Sequence, residues 1–414
     1  MDDAVKIAIG DNKQLQVTNL EVVRARESVA ETRTNFFPQL HSYVLAGYEL
    51  DRVSFTIPAG IFGVYPATGP IPATNEVSTP ARFAAFIYAY AGQPLTQLYK
   101  VNLAVREARF GVSLAEERLR SRRQETARRV KEAYYQLAQA QSEIRSAEAA
   151  VEYFSELSGL TDRNLKQETV LLSDSLIVKA KLNQQRYQLR ALQDGFDLQK
   201  EAFNYLLGRD VRTHFSIEPQ PPPDFLELDL EAARRQALEQ RSEIREAHLE
   251  SEIAGLDVRR EKAGYVPDLS LQVSYQSFQN MAFLPQNIAS AGFAFNWQPL
   301  DWGYKKHRTG ELRAIAQQKE ILAEDAEQQV ILDVDQKYRK LNQARMLLDA
   351  DADVQKAERQ KLQEITHLYE QNAILLSDLL QQQATASQAD SQYQQALAAF
   401  WTAKADFERA VGAD

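Results

Sequence analysis

The chain has 414 residues, a hydrophobic content of 44% and a formal net charge of −9 at pH 7. The hydrophobic content excludes a wholly disordered protein, and the negative charge argues against nucleic acid as a partner. The absence of cysteine excludes disulfides, thiolate metal sites and thiol nucleophiles, and it suits an oxidising compartment.

Charge is distributed unevenly along the chain. Residues 269–300 contain no Asp, Glu, Lys or Arg, and residues 53–99 contain only Glu76 and Arg82. No segment approaches the ~20 apolar residues of a membrane-spanning helix. The N-terminus, Met1 to Ala4, also lacks the basic region and apolar core of a signal peptide, as a chain whose export signal has been removed would. The uncharged segments therefore predict parts of the protein that face a different solvent from the rest.

In chain order, the sequence predicts a first helix of about 36 residues and then two strands at about 39–57 and 81–94. The intervening segment is rich in proline and glycine, which predicts a long exposed loop. Two further strands are predicted at about 268–280 and 289–299, where large apolar residues alternate with small or polar ones. Their lengths suit the ~9–11 residues of a tilted transmembrane strand, and aromatic residues gather towards the strand ends. An ordinary half-buried sheet is the alternative.

Each strand pair is followed by a very long predicted helix, at 95–160 and 301–370, and then by a shorter one, at 174–208 and 377–411. The first long helix has a heptad seam of Val130, Leu137, Ile144 and Val151. A helix of roughly 65 residues would be ~100 Å long. This length predicts a coiled coil or a helical tube, with a solitary rod as the alternative.

The chain contains two copies of one unit, residues 1–208 and 229–414, joined by a proline-rich connector at 209–228. Downstream of the strands the copies match at an offset of 204, so that the sequence Leu-Leu-Ser-Asp at 171–174 recurs at 375–378. Upstream the offset is 229, and Pro38 and Leu40 match Pro267 and Leu269. Each copy supplies two strands, and four strands cannot close a membrane barrel, which needs about eight or more. Because lipid does not tolerate open sheet edges, transmembrane strands would require several chains to share one barrel.

These features together resemble the TolC family of outer-membrane efflux proteins over essentially the whole chain. The resemblance rests on the tandem repeat, the strand-preceding prolines Pro38 and Pro267, the Gln-Pro-Leu turns at 93–95 and 298–300, and the Leu-Leu-Ser-Asp helix starts. It implies a mixed α and β membrane protein: a homotrimer whose 12-stranded β-barrel, four strands per chain, is continuous with a long α-helical coiled-coil barrel. It also implies the outer membrane of a Gram-negative bacterium, with the helical part in the periplasm and the signal peptide removed.

The implied function is the exit duct of a tripartite efflux or type I secretion system, which a periplasmic adaptor and an inner-membrane pump open at its periplasmic tip. By resemblance, the gate residues are Asp378, Asp174 and Tyr369. The turns expected to dock the adaptor contain Leu171, Leu172, Ser173, Leu375, Leu376 and Ser377. Asn372 and Ile374 stand where the family commonly has Gly and Arg, so the family's salt bridge at the tip is not expected here. Lipid anchoring and a C-terminal extension are not expected either.

Other chemistry receives little support from the sequence. The five histidines are scattered without a His-x-x-x-His pair, and no glycine-rich phosphate loop occurs, so neither an enzyme nor a cofactor is predicted. Asp174 and Asp378 have an alternative role in helix capping, because each follows a serine at a helix start. A soluble coiled-coil scaffold with two small hairpins is the alternative function. Drugs, metal ions and secreted proteins all remain open as the exported substrate.

Overall fold

The computed structural model describes residues 1–48, 50–51, 53–73, 75–79, 82–168, 170–218, 229–280, 285–371 and 373–413. Two compact units are present, and each contains segments from both halves of the sequence. The helical unit comprises Met1–Arg24, Val112–Ser251 and Gln317–Asp414, and the sheet unit comprises Ala25–Gly111 and Glu252–Ala316. Part of the proline-rich connector, residues 219–228, lies outside the described residues.

The helices are α1 (Asp2–Asp11), α2 (Lys13–Thr34), α3 (Leu98–Lys166), α4 (Leu172–Leu207), α5 (Leu230–Gln240), α6 (Ser242–Ala263), α7 (Tyr304–Glu370) and α8 (Leu376–Ala410). The strands are β1 (Gln39–Tyr48), β2 (Val53–Ile57), β3 (Val64–Tyr65), β4 (Gly69–Pro70), β5 (Asn75–Thr79), β6 (Phe83–Pro94), β7 (Asp268–Gln279) and β8 (Asn287–Asn296). None of the described helices is both long and apolar enough to cross a membrane.

The main sheet has four antiparallel strands in the order β1-β6-β7-β8. The central β6–β7 pair joins the two halves of the chain, and β1 and β8 are the edges. The segment expected to be one strand at 39–57 is divided between β1 and β2, and β2 pairs with β5 in a separate two-stranded sheet. The expected loop between the first two strands therefore carries a small hairpin of its own.

The first helix of each half is divided in two at matched positions. Asn12 separates α1 from α2, and Arg241 separates α5 from α6; both have extended ψ angles near 125°. Asn12 accepts hydrogen bonds from the backbone N–H groups of Gln14 and Leu15 and thereby caps α2. Its Nδ2 also donates to the Leu206 carbonyl at 2.7 Å. A contact with the end of α4, nearly 200 residues away in sequence, thus fixes this break.

Arg241 makes the corresponding contact in the second half. Its Nη1 donates to the Ala410 carbonyl at 3.0 Å and lies 2.9 Å from the Asp333 carboxylate. Ala410 matches Leu206 at the offset of 204, and Arg241 matches Asn12 at the offset of 229. Different side chains therefore satisfy the same carbonyl in each half.

The cores of the helical unit are also matched. In the first half Tyr134 and Phe203 have ring centroids 6.4 Å apart, and in the second half Tyr338 and Phe407 have centroids 6.1 Å apart. Both clusters are built from buried residues at equivalent positions: Ala8, Val130, Leu137, Phe203 and Leu207 in one, and Ala237, Val334, Leu341, Phe407 and Val411 in the other. Each large apolar side chain buried in this way stabilises the fold by ~1.5–3 kcal/mol.

Candidate functional site

The first candidate site is the turn between α3 and α4, residues 167–171, which we call the first turn. Glu168 has a φ of 58°, and the chain enters α4 through Leu171, the N-cap residue. The Leu171 N–H donates to the Asp174 carboxylate at 3.3 Å. Capping therefore comes from Asp174, whereas Ser173 is exposed inside the helix. A carboxylate here also suits the positive end of the helix dipole.

The second turn, residues 371–375, has the same entry into α8 but a different carboxylate environment. Leu375 is the N-cap residue with no side-chain cap, and Ser377 lies within the helix. The Asp378 side chain is exposed, and among the described residues its carboxylate accepts no hydrogen bond. Asn372 lies outside the described residues, and Ile374 is half-buried.

Tyr369 and Asp174 are brought together from different halves of the chain. Tyr369, near the end of α7, is half-buried against an apolar cluster that includes Phe154, Val178 and Leu379. Burial raises the pKa of the Tyr369 hydroxyl, and the nearby Asp174 carboxylate raises it further. The phenol therefore stays protonated at neutral pH and remains a hydrogen-bond donor. Asp378 is not part of this pair.

Three polar contacts near the turns are not predicted from the sequence. Ser175 Oγ donates to Asp162 Oδ1 at 2.7 Å, and Lys179 Nζ lies 2.9 Å from the same oxygen, which ties α3 to α4. The hydrogen bond from Ser175 and the ammonium of Lys179 lower the pKa of Asp162. On the other side, buried Gln382 donates to the Glu358 carboxylate at 2.7 Å and ties α7 to α8. No local motif marks these residues, because each partner comes from a different helix.

Both turns expose apolar side chains. Leu171 and Leu375 are each 70% exposed and Leu172 is 61% exposed, while Leu376 is half-buried against the apolar cluster. Exposed leucines grouped at a helix start are typical of a contact surface, because a partner that covers them removes apolar area from water. The structure thus gives each turn an apolar end next to a carboxylate.

The second candidate site is the main sheet, whose two faces differ in chemistry. Residues paired across the strands share a face, so Leu40, Ala91, Val273 and Ala291 form one row. The large apolar side chains of this face, which we call the apolar face, are those of Leu40, Val44, Tyr48, Phe83, Ile87, Leu271, Val273, Tyr275, Phe293 and Phe295. Small or polar residues such as Ser42 and Ser277 lie between them. Most of the large side chains are exposed, with Leu40 76% and Phe293 71% exposed, whereas Ile87 is half-buried.

The opposite face is polar and aromatic. Its rows place Gln276 and Ser274 of β7 beside Tyr88 and Tyr90 of β6, and Gln272 beside Gly92. Ser274 and Ser290 are hydrogen-bonded at 2.8 Å, and the His41 ring stacks on Tyr90 with centroids 4.9 Å apart. A sheet with one exposed apolar face and one polar face is suited to separating lipid from water.

Comparison with known proteins agrees with this architecture. The family model described as outer membrane efflux protein matches residues 4–209. The CmeC outer membrane channel of Campylobacter jejuni has a TM-score of 0.82 at 12% identity, with 100% of this chain and 85% of that chain covered. VceC of Vibrio cholerae has a TM-score of 0.79 at 15% identity over 99% and 95% of the two chains. The MtrE channel of Neisseria gonorrhoeae has a TM-score of 0.75 at 16% identity over 99% and 88%.

At these identities the solved structures show a shared fold. No curated protein matches the chain by sequence. The match to the family model shows that the chain belongs to the outer membrane efflux protein family, the exit ducts of the Gram-negative outer membrane.

Proposed function

We propose that three copies of this chain form one exit duct, in which the main sheets close a 12-stranded barrel in the outer membrane. The observation that carries the proposal is the four-stranded sheet with open edges at β1 and β8 and one exposed apolar face. Open edges are costly in lipid because unpaired backbone groups find no water there. Pairing β8 of one copy with β1 of the next removes every edge, and three copies supply enough strands for closure.

The polar and aromatic face then lines the lumen of the barrel. Gln272, Ser274 and Gln276 offer uncharged hydrogen-bonding groups, and the tyrosine rings of β6 give flat contact surfaces. The charged residue that the structure describes on this face, Asp268 at the start of β7, is paired with Lys100 at 3.1 Å. A wall with little unpaired charge supports passage of varied solutes without strong binding. Selection of the cargo would therefore fall to the pump.

The helical unit forms the periplasmic tunnel in this proposal, and its two turns form the tip. The tandem repeat, residues 1–208 and 229–414, is supported by the matched cores and by the matched contacts of Asn12 and Arg241. In a ring of three chains, six similar helix groups would surround the axis. The connector at 209–228 would link the two groups of each chain.

The tip is the proposed gate. Three copies of Asp378, exposed and without a partner among the described residues, would form a ring of carboxylates that favours cations. Tyr369 beside Asp174 would hold the two helix turns of one chain together. The exposed leucines 171, 172 and 375 would dock a periplasmic adaptor, whose binding moves the turns apart and joins the duct to an inner-membrane pump.

Conductance across a planar lipid bilayer tests this function. The purified protein should insert from detergent and give uniform small conductance steps. These steps should increase in a tip variant in which both Asp174 and Tyr369 are replaced by alanine. A trimer that inserts into the bilayer but never conducts, in either form, would contradict the exit duct.

A further inference from the structure

The two halves of the chain meet in the helical unit through a heterologous contact. Gln124 of α3 donates from Nε2 to the Gly412 carbonyl, 3.2 Å away, and both residues are buried. Arg128 Nη1 lies 3.1 Å from Asp406, whose side chain is 9% exposed. The first half therefore uses its long helix, and the second half uses the end of α8.

The same contact extends along α3 in both directions. Arg118 forms ion pairs with Glu246 and Glu250 of α6 at 3.6 and 3.1 Å. Further along α3, the Tyr135 ring stacks on Trp401 with centroids 5.6 Å apart. The contact within the chain is thus mainly ionic, with an aromatic pair at one end.

Because this contact joins two different surfaces, each half keeps one surface without a partner inside the chain. Contacts of this heterologous kind join copy to copy until a ring closes. The residues of α7 that match Arg118, Gln124, Arg128 and Tyr135 at the offset of 204 form what we call the α7 edge: Leu322, Gln328, Leu332 and Arg339. The α4 edge consists of the residues that match Glu246, Glu250, Trp401, Asp406 and Gly412: Val17, Glu21, Asp197, Ala202 and Gly208. Every residue of these two edges is exposed except Gly208, which is half-buried.

The chemistry of the two edges is complementary but differs from that of the internal contact. Leu322 and Leu332 replace two arginines and are 54% and 57% exposed, while Val17 replaces a glutamate and is 54% exposed. Glu21 retains the carboxylate of Glu250 at the same end of the edge. Leu20 and Tyr205, also on α2 and α4, add apolar surface at 64% and 76% exposure. Large apolar side chains that face water in register on two surfaces indicate a mutual contact.

The polar members of the edges are complementary too. Gln328 retains the amide donor of Gln124, and the Gly208 carbonyl accepts no hydrogen bond from the residues described. Arg339 and Asp197 stand where the internal contact has Tyr135 and Trp401. The Asp197 side chain is 71% exposed, with Lys200 of its own helix 3.6 Å away.

We infer that the α7 edge of one copy docks on the α4 edge of the next copy in the geometry of the internal contact. Gln328 donates to the partner copy's Gly208 carbonyl, the leucines of the α7 edge cover Ala202 and Val17 of the next copy, and Arg339 pairs with the next copy's Asp197. This inference rests on the ring of three copies proposed above and adds the residues that close it. Mispairing is costly, because placing Leu332 against Asp406 would bury a carboxylate without a cation.

Cysteine cross-linking tests this docking directly, since the chain contains no cysteine. The variant Leu332→Cys with Ala202→Cys, treated with a short bis-maleimide, should give cross-linked dimers and trimers on a denaturing gel, and no larger species. The control pairs Leu332→Cys with Tyr187→Cys, an exposed site one helical stretch of ~22 Å away from Ala202 along α4. The control should remain monomeric on the gel.

The outcomes separate this inference from the proposed function. A trimer in light scattering without cross-links in the first variant would overturn the edges while leaving the duct intact. Absence of any trimer before cross-linking would overturn the ring itself, and equal cross-linking in both variants would show that the edges are not specific.

Charge reversal gives a second measurement that does not depend on cysteine chemistry. Arg339→Asp and Asp197→Arg should each weaken assembly about fivefold per contact, and the double variant should restore it. Single variants that assemble normally, or a double variant as weak as the singles, would overturn the ion pair between copies.

Discussion

Gly208, the C-cap residue of α4, lies against the backbone of Asp11 and Asn12. Gly208 has a φ of 80°, and a Cβ atom added there would lie 2.2 Å from the Asp11 carbonyl oxygen and 2.5 Å from the Asp11 carbonyl carbon. An alanine at this φ costs ~1–2 kcal/mol by itself. Relieving the overlap would move α4 by about 1 Å and break the Asn12–Leu206 hydrogen bond, for a further ~1–3 kcal/mol.

Gly208→Ala should therefore destabilise the protein by ~2–5 kcal/mol. The matched control is Gly412→Ala, which has a φ of 78° but whose added Cβ would meet the nearest atom, the Gln240 Cβ, at 3.0 Å. That control should lose only the ~1–2 kcal/mol of the strained backbone. Helix content followed by circular dichroism during denaturation in detergent measures both losses. Equal losses in the two variants would refute the close packing of α4 on the break at Asn12.

Three other predictions concern charged groups. Asp406→Ala should destabilise the protein by ~3 kcal/mol in the same assay, because it leaves Arg128 and Lys337 half-buried without this anion. The control Asp194→Ala removes an exposed carboxylate and should change stability by less than ~1 kcal/mol. Similar losses in the two variants would contradict the role of burial. Burial of Glu125 opposes its charge, but hydrogen bonds from Arg128 and Arg129 lower its pKa to about 2. Ionised Glu125 therefore stabilises the folded state fully above the unfolded pKa near 4.5, and this stabilisation is lost as the pH falls towards 2. The difference in unfolding free energy between wild type and Glu125→Gln should shrink over that pH range. A constant difference would contradict the lowered pKa of Glu125. Asp378→Ala should raise the leak through the closed tip and reduce its preference for cations by roughly twofold or more, and unchanged bilayer conductance and selectivity would contradict the carboxylate ring.

Local patterns carry much of the information on the sheet and on the long helices. The alternation of Leu269, Leu271 and Val273 coincides with β7, and the heptad positions Val130 and Leu137 are among the most buried residues of α3. These patterns arise from the period of side chains along a strand or helix, which depends only on nearby sequence. The family assignment made from the repeat and its motifs is confirmed by the family match.

Features that depend on distant contacts could not be predicted in the same way. The break at Asn12 is fixed by the Leu206 carbonyl at the end of α4. The sequence gives Asp174 and Asp378 the same alternative role in helix capping, yet among the described residues Asp174 accepts the N–H of its N-cap residue Leu171, whereas Leu375 has no side-chain cap. The approach of Asp174 to Tyr369 joins two halves of the chain, and no single-sequence pattern encodes it.

Multi-angle light scattering of the purified protein in detergent tests whether three chains share one barrel. The protein mass should be about three times 47.0 kDa, and the protein should aggregate when the detergent is removed, because three sheets share one lipid-facing barrel. A monodisperse monomer or dimer in plain buffer would contradict the shared barrel and would favour a soluble scaffold built from the same helices.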